Sequence, residues 1–176
     1  MSPHTIAVQI DERFRKRVQP EPLRLAALEA LEIAHEQVEK PCELALVVTG
    51  DEPLREFNRR YRGVDAPTDV LAFPDERRPE PCPEICRRAV TGTHGPFAEA
   101  PGLPCYLGDV IISFPRAEAQ AEEADHDVQA ELQLLAVHGV LHLLGYDDST
   151  EEQRAQMWAV QTEILQALEV EVNLPA

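Results

Sequence analysis

No apolar run in this 176-residue chain is long enough to cross a bilayer. The N-terminal MSPHTIAVQI also lacks the basic region and following apolar stretch of a secretory leader. These two absences predict a cytoplasmic protein with no membrane partner. Cysteine is sparse: Cys42, Cys82, Cys86 and Cys105 are too few for the dense disulfide framework of small secreted domains. Basic residues are scarce too, 16 against 32 acidic ones, which leaves a net charge of −16. A nucleic-acid binder ordinarily carries a basic stripe that displaces counterions from phosphates. Contact with a polyanion must therefore be local here, through a metal ion or a small arginine cluster, and most of the acidic residues read as solvated surface. With 44% hydrophobic and 27% charged residues the composition is that of a globular domain that can bury a core.

Four segments read as strands. TIAVQI (5–10) and ELALVVT (43–49) alternate and are rich in β-branched or apolar residues, and VLAFP (70–74) and LGDVIIS (107–113) follow the same pattern. EPLRLAALEALEIAHEQVE (21–39) places Leu23, Ala27, Leu28, Leu31, Ala34 and Val38 on one helical face. DEPLREFNRRYR (51–62) predicts a short helix with Asp51 as cap and Pro53 in its first turn. A long helix is expected from about Pro115 to Leu144, polar at first and then apolar, ended by Gly145 in a left-handed turn. Ser149 and Glu152 suggest a capping box opening a last helix over 150–168, with Met157, Val160, Ile164 and Leu168 as its stripe. Residues 75–104 are rich in proline and read as a long irregular loop. With no repeat and no domain boundary, residues 1–176 form one domain with a mixed sheet packed by helices.

The most informative stretch is HGVLHLLGYDD, residues 138–148. Residues four apart on a helix lie roughly 40° apart around the axis and about 6 Å along it. His138 and His142 thus share a face and can share an ion. Gly145 lets the chain turn back, and Asp148 can return to the same point. H-x3-H-x2-G-x2-D has the form of a zinc site with two helical histidines and a third ligand past a glycine turn. A single histidine in an apolar helix is more often a hydrogen-bonded core residue. Two at this spacing among Leu135, Val137, Leu141 and Leu144 are costly to bury without a shared partner. Asp147 could exchange roles with Asp148 or orient a histidine. His126, about 18 Å further back along the expected helix, is too far to join. Cys82, Cys86, His94 and Cys105 fit no strong metal spacing. Metalloproteases built on such a helix carry a glutamate general base directly after the first histidine, where this chain has Gly139.

Upstream, Arg59, Arg60 and Arg62 stand beside the turn into VLAFP. Arg59 and Arg60 read as surface, whereas Arg62 at the helix exit has a planar fork suited to a phosphate group. With YRGVDAPTDVLAFP, LGDVIIS and HGVLHLLGYDD in that order, the chain resembles the YbeY-type endoribonucleases, bacterial rRNA maturation factors, over about residues 43–168.

The resemblance implies an α+β fold with a metal at the end of a buried helix. It also implies a zinc-dependent, single-strand-specific endoribonuclease that matures the 3′ end of small-subunit ribosomal RNA, works in ribosome quality control, associates with ribosomes, and has RNA rather than DNA as its partner. It makes His138 and His142 the first two ligands and Arg62 a functional arginine. The third ligand of the family is usually histidine, and Asp148 stands there instead. A carboxylate lowers the formal site charge from +2 to +1, which weakens Lewis acidity, and two histidines with one carboxylate also suit Fe2+. The catalytic expectation is an ion held by His138, His142 and Asp148, with Arg62 on the scissile phosphate. No general base is evident, and water and the RNA 2′-hydroxyl both stand as nucleophiles. Two other readings are a non-enzymatic ribosome-assembly factor with a structural metal, and a metallopeptidase-like hydrolase, which Gly139 disfavours.

Overall fold

The structure is a computed structural model that describes residues 2–34, 41–75 and 105–173. Strands β1 (Thr5–Ile10), β2 (Cys42–Thr49), β3 (Val70–Pro74) and β4 (Cys105–Ser113) form one sheet in the order β1-β2-β4-β3. Along β2 the alternate residues Cys42, Leu44, Leu46 and Val48 are buried, as expected of a strand with one face on a core. β1 and β2 run parallel, as do β2 and β4, while β3 is antiparallel to β4. A parallel pair needs a crossover, and α1 (Pro20–Ala34) supplies it between β1 and β2. The expected proline-rich loop falls almost wholly on residues 76–104, outside the described residues, with Cys82, Cys86 and His94; Val38 also lies outside them.

The other helices are α2 (Asp51–Arg62), α3 (Phe114–Ala124), α4 (Val128–Leu143) and α5 (Glu151–Ala167). Three expectations need correction. The long helix from Pro115 is two helices: Asp125 adopts the left-handed region (φ 56°), and its N–H closes α3 onto the carbonyls of Ala121 and Glu122. The Asp127 carboxylate then caps α4 by accepting from Gln129 N–H at 2.8 Å. Aspartates perform here the ending and starting that glycine or proline would have announced. At α2 the cap position belongs to Gly50, and Asp51 lies in the first turn, where it accepts a 2.6 Å hydrogen bond from the Ser113 hydroxyl. The capping box of α5 is built from Thr150 and Gln153, one residue later than expected.

α4 is the centre of the molecule and packs against α1, α3, α5, β3 and β4. Leu132, Ala136, Val137, Val140, Leu141 and Leu143 are fully buried. Each buried leucine or valine contributes about 1.5–3 kcal/mol. Gly139 approaches the sheet closely: an added Cβ would lie 2.4 Å from Val110 Cγ1 on β4. The helix therefore rests on the sheet at that residue, and the site of a protease's glutamate is filled by the core.

Candidate metal centre

The last two turns of α4 carry His138 and His142, both partly buried. After Leu144 the chain turns through Gly145 (φ 95°), a region that favours glycine. Gly145 N–H donates to the His142 carbonyl and Tyr146 N–H to the Leu141 carbonyl, each at 3.0 Å. This reversal delivers Asp148 to the histidines. One donor atom from each of His138, His142 and Asp148 lies within 4.8 Å of the others, so the expected triad is assembled. Arg154 from α5 holds the turn by donating to the Asp148 carbonyl at 3.2 Å.

Each ring nitrogen has a definable role. His142 Nδ1–H donates to the Tyr146 carbonyl at 3.0 Å. His138 Nδ1–H donates to Gln161 Oε1 at 3.2 Å, and Gln161, on α5, is itself buried. With both Nδ1 atoms protonated, the neutral rings carry bare Nε2 lone pairs, and these face one another at 3.1 Å. Two bare nitrogens at that distance repel unless a proton or a cation lies between them. Two nitrogen ligands about a tetrahedral zinc are separated by about 3.3 Å, given Zn–N bonds near 2.05 Å. The residues therefore fit a divalent cation: both rings are pre-turned, their outer nitrogens are anchored as in established metal sites, and a carboxylate completes the set. Burial, and then the neighbouring His142, lower the His138 pKa from its ordinary 6.5, against the Gln161 hydrogen bond and the charges of Asp148 and Asp69. The neutral imidazole is the form that binds a metal.

The other candidates are resolved by their partners. Asp147 is exposed and accepts from Asp148 N–H and from the Ser149 hydroxyl, both at 2.8 Å. The Ser149 hydroxyl foremost holds its carboxyl below the usual range. Asp147 shapes the turn and is not drawn into the triad. His126 lies in the break between α3 and α4, not on one helix with His138. Its Nδ1 accepts from Asn173 N–H at 3.0 Å, so its Nε2–H donates to Glu131 at 2.5 Å. Burial, ahead of any other influence, pushes the Glu131 carboxyl up. Arg62 is the exposed last residue of α2, before Gly63 in the left-handed region (φ 70°). Arg55 pairs with Asp65 and Arg59 with Glu56, each at 2.7 Å, whereas Arg62 makes no ion pair among the described residues.

His138 also borders a cleft of about 610 Å³ reached by Asp69, Gln120, Trp158 and Gln161. Asp69 accepts from Val70 N–H at 2.8 Å and from Gln120 Nε2–H at 3.0 Å. None of these four was singled out in the sequence. Gln161 gave a signal, being a polar residue on the buried stripe of α5 one turn after Met157. The others depend on how α3, α5 and the β3 approach meet, which local pattern does not encode.

The model of the family described as Endoribonuclease YbeY matches residues 9–169. An endoribonuclease YbeY of Chloroflexus aurantiacus is 44% identical over 144 residues, 82% of this chain and 81% of that protein. One from Bacillus mycoides is 46% identical over 132 residues, 75% of this chain and 76% of that protein. The solution structure of TM1509 from Thermotoga maritima shares the fold, with a TM-score of 0.54 and 21% identity over 93% of this chain and 88% of that one. An α+β domain with the helix, turn and carboxylate just described, matched along nearly its whole length, belongs to the endoribonuclease YbeY family.

Proposed function

We propose that this chain is a metal-dependent endoribonuclease that cuts single-stranded ribosomal RNA, at the 3′ end of the small-subunit RNA, with Zn2+ held by His138, His142 and Asp148. The observation that carries the reading is the pair of Nε2 atoms facing one another at 3.1 Å while both Nδ1 atoms donate to fixed acceptors. The family supports RNA as substrate. Fe2+ is the competing occupant, because the third ligand is a carboxylate.

The bound ion would polarise a phosphoryl oxygen and acidify a coordinated water. Gln161 and the Tyr146 carbonyl keep both rings in the tautomer that presents Nε2. Asp148 supplies a negative ligand, so the site keeps a formal charge of +1, enough local positive charge to admit a phosphodiester to an acidic protein. Arg62 offers a planar two-donor fork to the scissile phosphate, where it would offset charge developing in the transition state. Gly139 leaves no room for a protease-type glutamate, since any side chain there meets Val110.

The test is cleavage of a single-stranded RNA carrying the small-subunit 3′ sequence, beside the same sequence as a duplex. Cutting of the single strand that stops with chelation and returns with zinc supports the reading. Equal cutting in a chelator refutes it. A chain that unfolds when stripped of metal favours the assembly-factor reading, in which the ion is structural.

A further inference from the structure

The cleft beside His138 has a chemistry that the metal triad does not use. Its walls combine Leu134 and Leu135 of α4 and Trp158 of α5 with Asp69, Gln120 and Glu123. Among the described residues no lysine or arginine lines it, so it is unsuited to a phosphate. Its volume of about 610 Å³ falls within the roughly 300–1,000 Å³ of small-ligand pockets. Trp158 is half-buried, which leaves part of its indole facing the space.

The polar wall is rich in acceptors, the carboxylates of Asp69 and Glu123 and the Gln120 amide oxygen, beside the amides of Gln161 and Asn173. Gln120 Nε2 donates one N–H to Asp69 at 3.0 Å, and that bond orients the amide. Its Oε1 is buried and meets no donor among the described residues. An acceptor closed off from both donors and water is unfavourable, and a turn of the Gln120 side chain that brings Oε1 to the cleft wall lets an arriving donor group recover the loss. An aromatic platform, an unsatisfied acceptor and two carboxylates form the combination with which proteins hold an unstacked base, by its face and by the donors on its edge.

We propose that this cleft receives a base of the RNA strand next to the scissile bond, stacked on Trp158 and read at its edge by Gln120 with Asp69 and Glu123. The acceptor wall selects a base with an exocyclic amino group, adenine, cytosine or guanine. It disfavours uracil, whose single edge N–H lies between two carbonyl oxygens. His138 belongs to both the cleft and the triad, so a base seated there places its own phosphate within reach of the ion. This proposal rests on the endoribonuclease reading.

The experiment uses the full chain with metal bound and a randomised single-stranded RNA pool, with product ends mapped by sequencing. Wild type should show uracil depleted several-fold at one position flanking the cut. Gln120→Met, which keeps the volume and removes the acceptor, should erase that depletion while retaining metal. Trp158→Ala should raise KM roughly ten-fold, with Trp158→Phe restoring most of it, since a phenyl ring also stacks. Trp158 is the only tryptophan of the chain, so quenching of its fluorescence by a 2′-O-methyl pool reports stacking without any variant. Cleavage with the same base distribution in wild type and Gln120→Met, and no quenching, would overturn the cleft and leave the nuclease standing. No cleavage by metal-loaded wild type would overturn both.

Discussion

Gln161→Leu tests whether the His138 ring is held for metal binding. Gln161 is 4% exposed, and its Oε1 accepts from His138 Nδ1–H at 3.2 Å. Leucine fills a similar volume but offers no acceptor, so the ring loses both its orientation and the reason to keep its proton on Nδ1. Removing the outer partner of a metal-bound histidine ordinarily weakens metal affinity by about 10–100-fold, or about 1.4–2.7 kcal/mol. The same amount is lost from the stabilisation that saturating metal confers on the fold. For a chain of this size each kcal/mol moves Tm by about 2–4 °C, so the metal-induced rise in Tm should shrink by about 3–10 °C. Competition against a chromophoric zinc chelator gives the affinity directly, and paired melts with and without metal give the stabilisation. Gln161→Glu, which keeps an acceptor, should retain most of both. Equal zinc affinity in wild type and Gln161→Leu would refute the reasoning, because the Nδ1 bond would then have no part in presenting Nε2.

Three further outcomes follow from the same geometry. Arg62→Ala should lower RNA cleavage by ten-fold or more while metal content and melting temperature stay as in wild type; a variant that loses its metal would show that Arg62 supports the fold or the site rather than the phosphate. Gly139→Ala should destabilise the chain by about 1–3 kcal/mol in chemical denaturation, since the new Cβ would stand 2.4 Å from Val110 Cγ1, and Val110→Ala in the same chain should recover part of the loss. The His138 pKa lies below its ordinary 6.5 in the folded chain, so the unfolded chain binds the proton more readily. The metal-free protein should keep the full contribution of His138 above about pH 6.5 and lose it as pH falls below that value, with His138→Gln flattening this part of the profile in urea titrations. A stability that rises on acidification through the same window would contradict the burial argument.

Much of the fold was legible because it rests on short-range pattern. Alternation in CELALVVT and VIIS reports strands with one buried face, and the unbroken apolar run of LLAVHGVLHLL reports a helix buried all round. The triad was legible for the same reason: its three residues lie within eleven positions, and helix pitch with a glycine turn sets their separation. What escaped depends on single side chains or on distant packing. The break at Asp125 comes from an aspartate in the left-handed region with another at the next cap, and neither aspartate differs in sequence from a surface acid. The cap of α5 moved to Thr150 because Gln153 closes the box with it where Glu152 would have closed one with Ser149. Asp69, Gln120 and Trp158 come from three separate segments and meet only when α3 and α5 settle on either side of α4. His126 was read on a continuous helix, and only the break shows why both its nitrogens are occupied.

The geometry of His138, His142 and Asp148 calls for one divalent cation. Elemental analysis of protein purified without added metal, wild type beside Asp148→Ala, tests it most directly. About one zinc per wild-type chain is expected, and a substoichiometric amount in the variant, with the fold intact by circular dichroism. Iron in place of zinc would keep the triad and change the chemistry assigned to it. Metal in neither protein would contradict the claim, leaving His138 and His142 as two core histidines with a shared proton between their facing nitrogens.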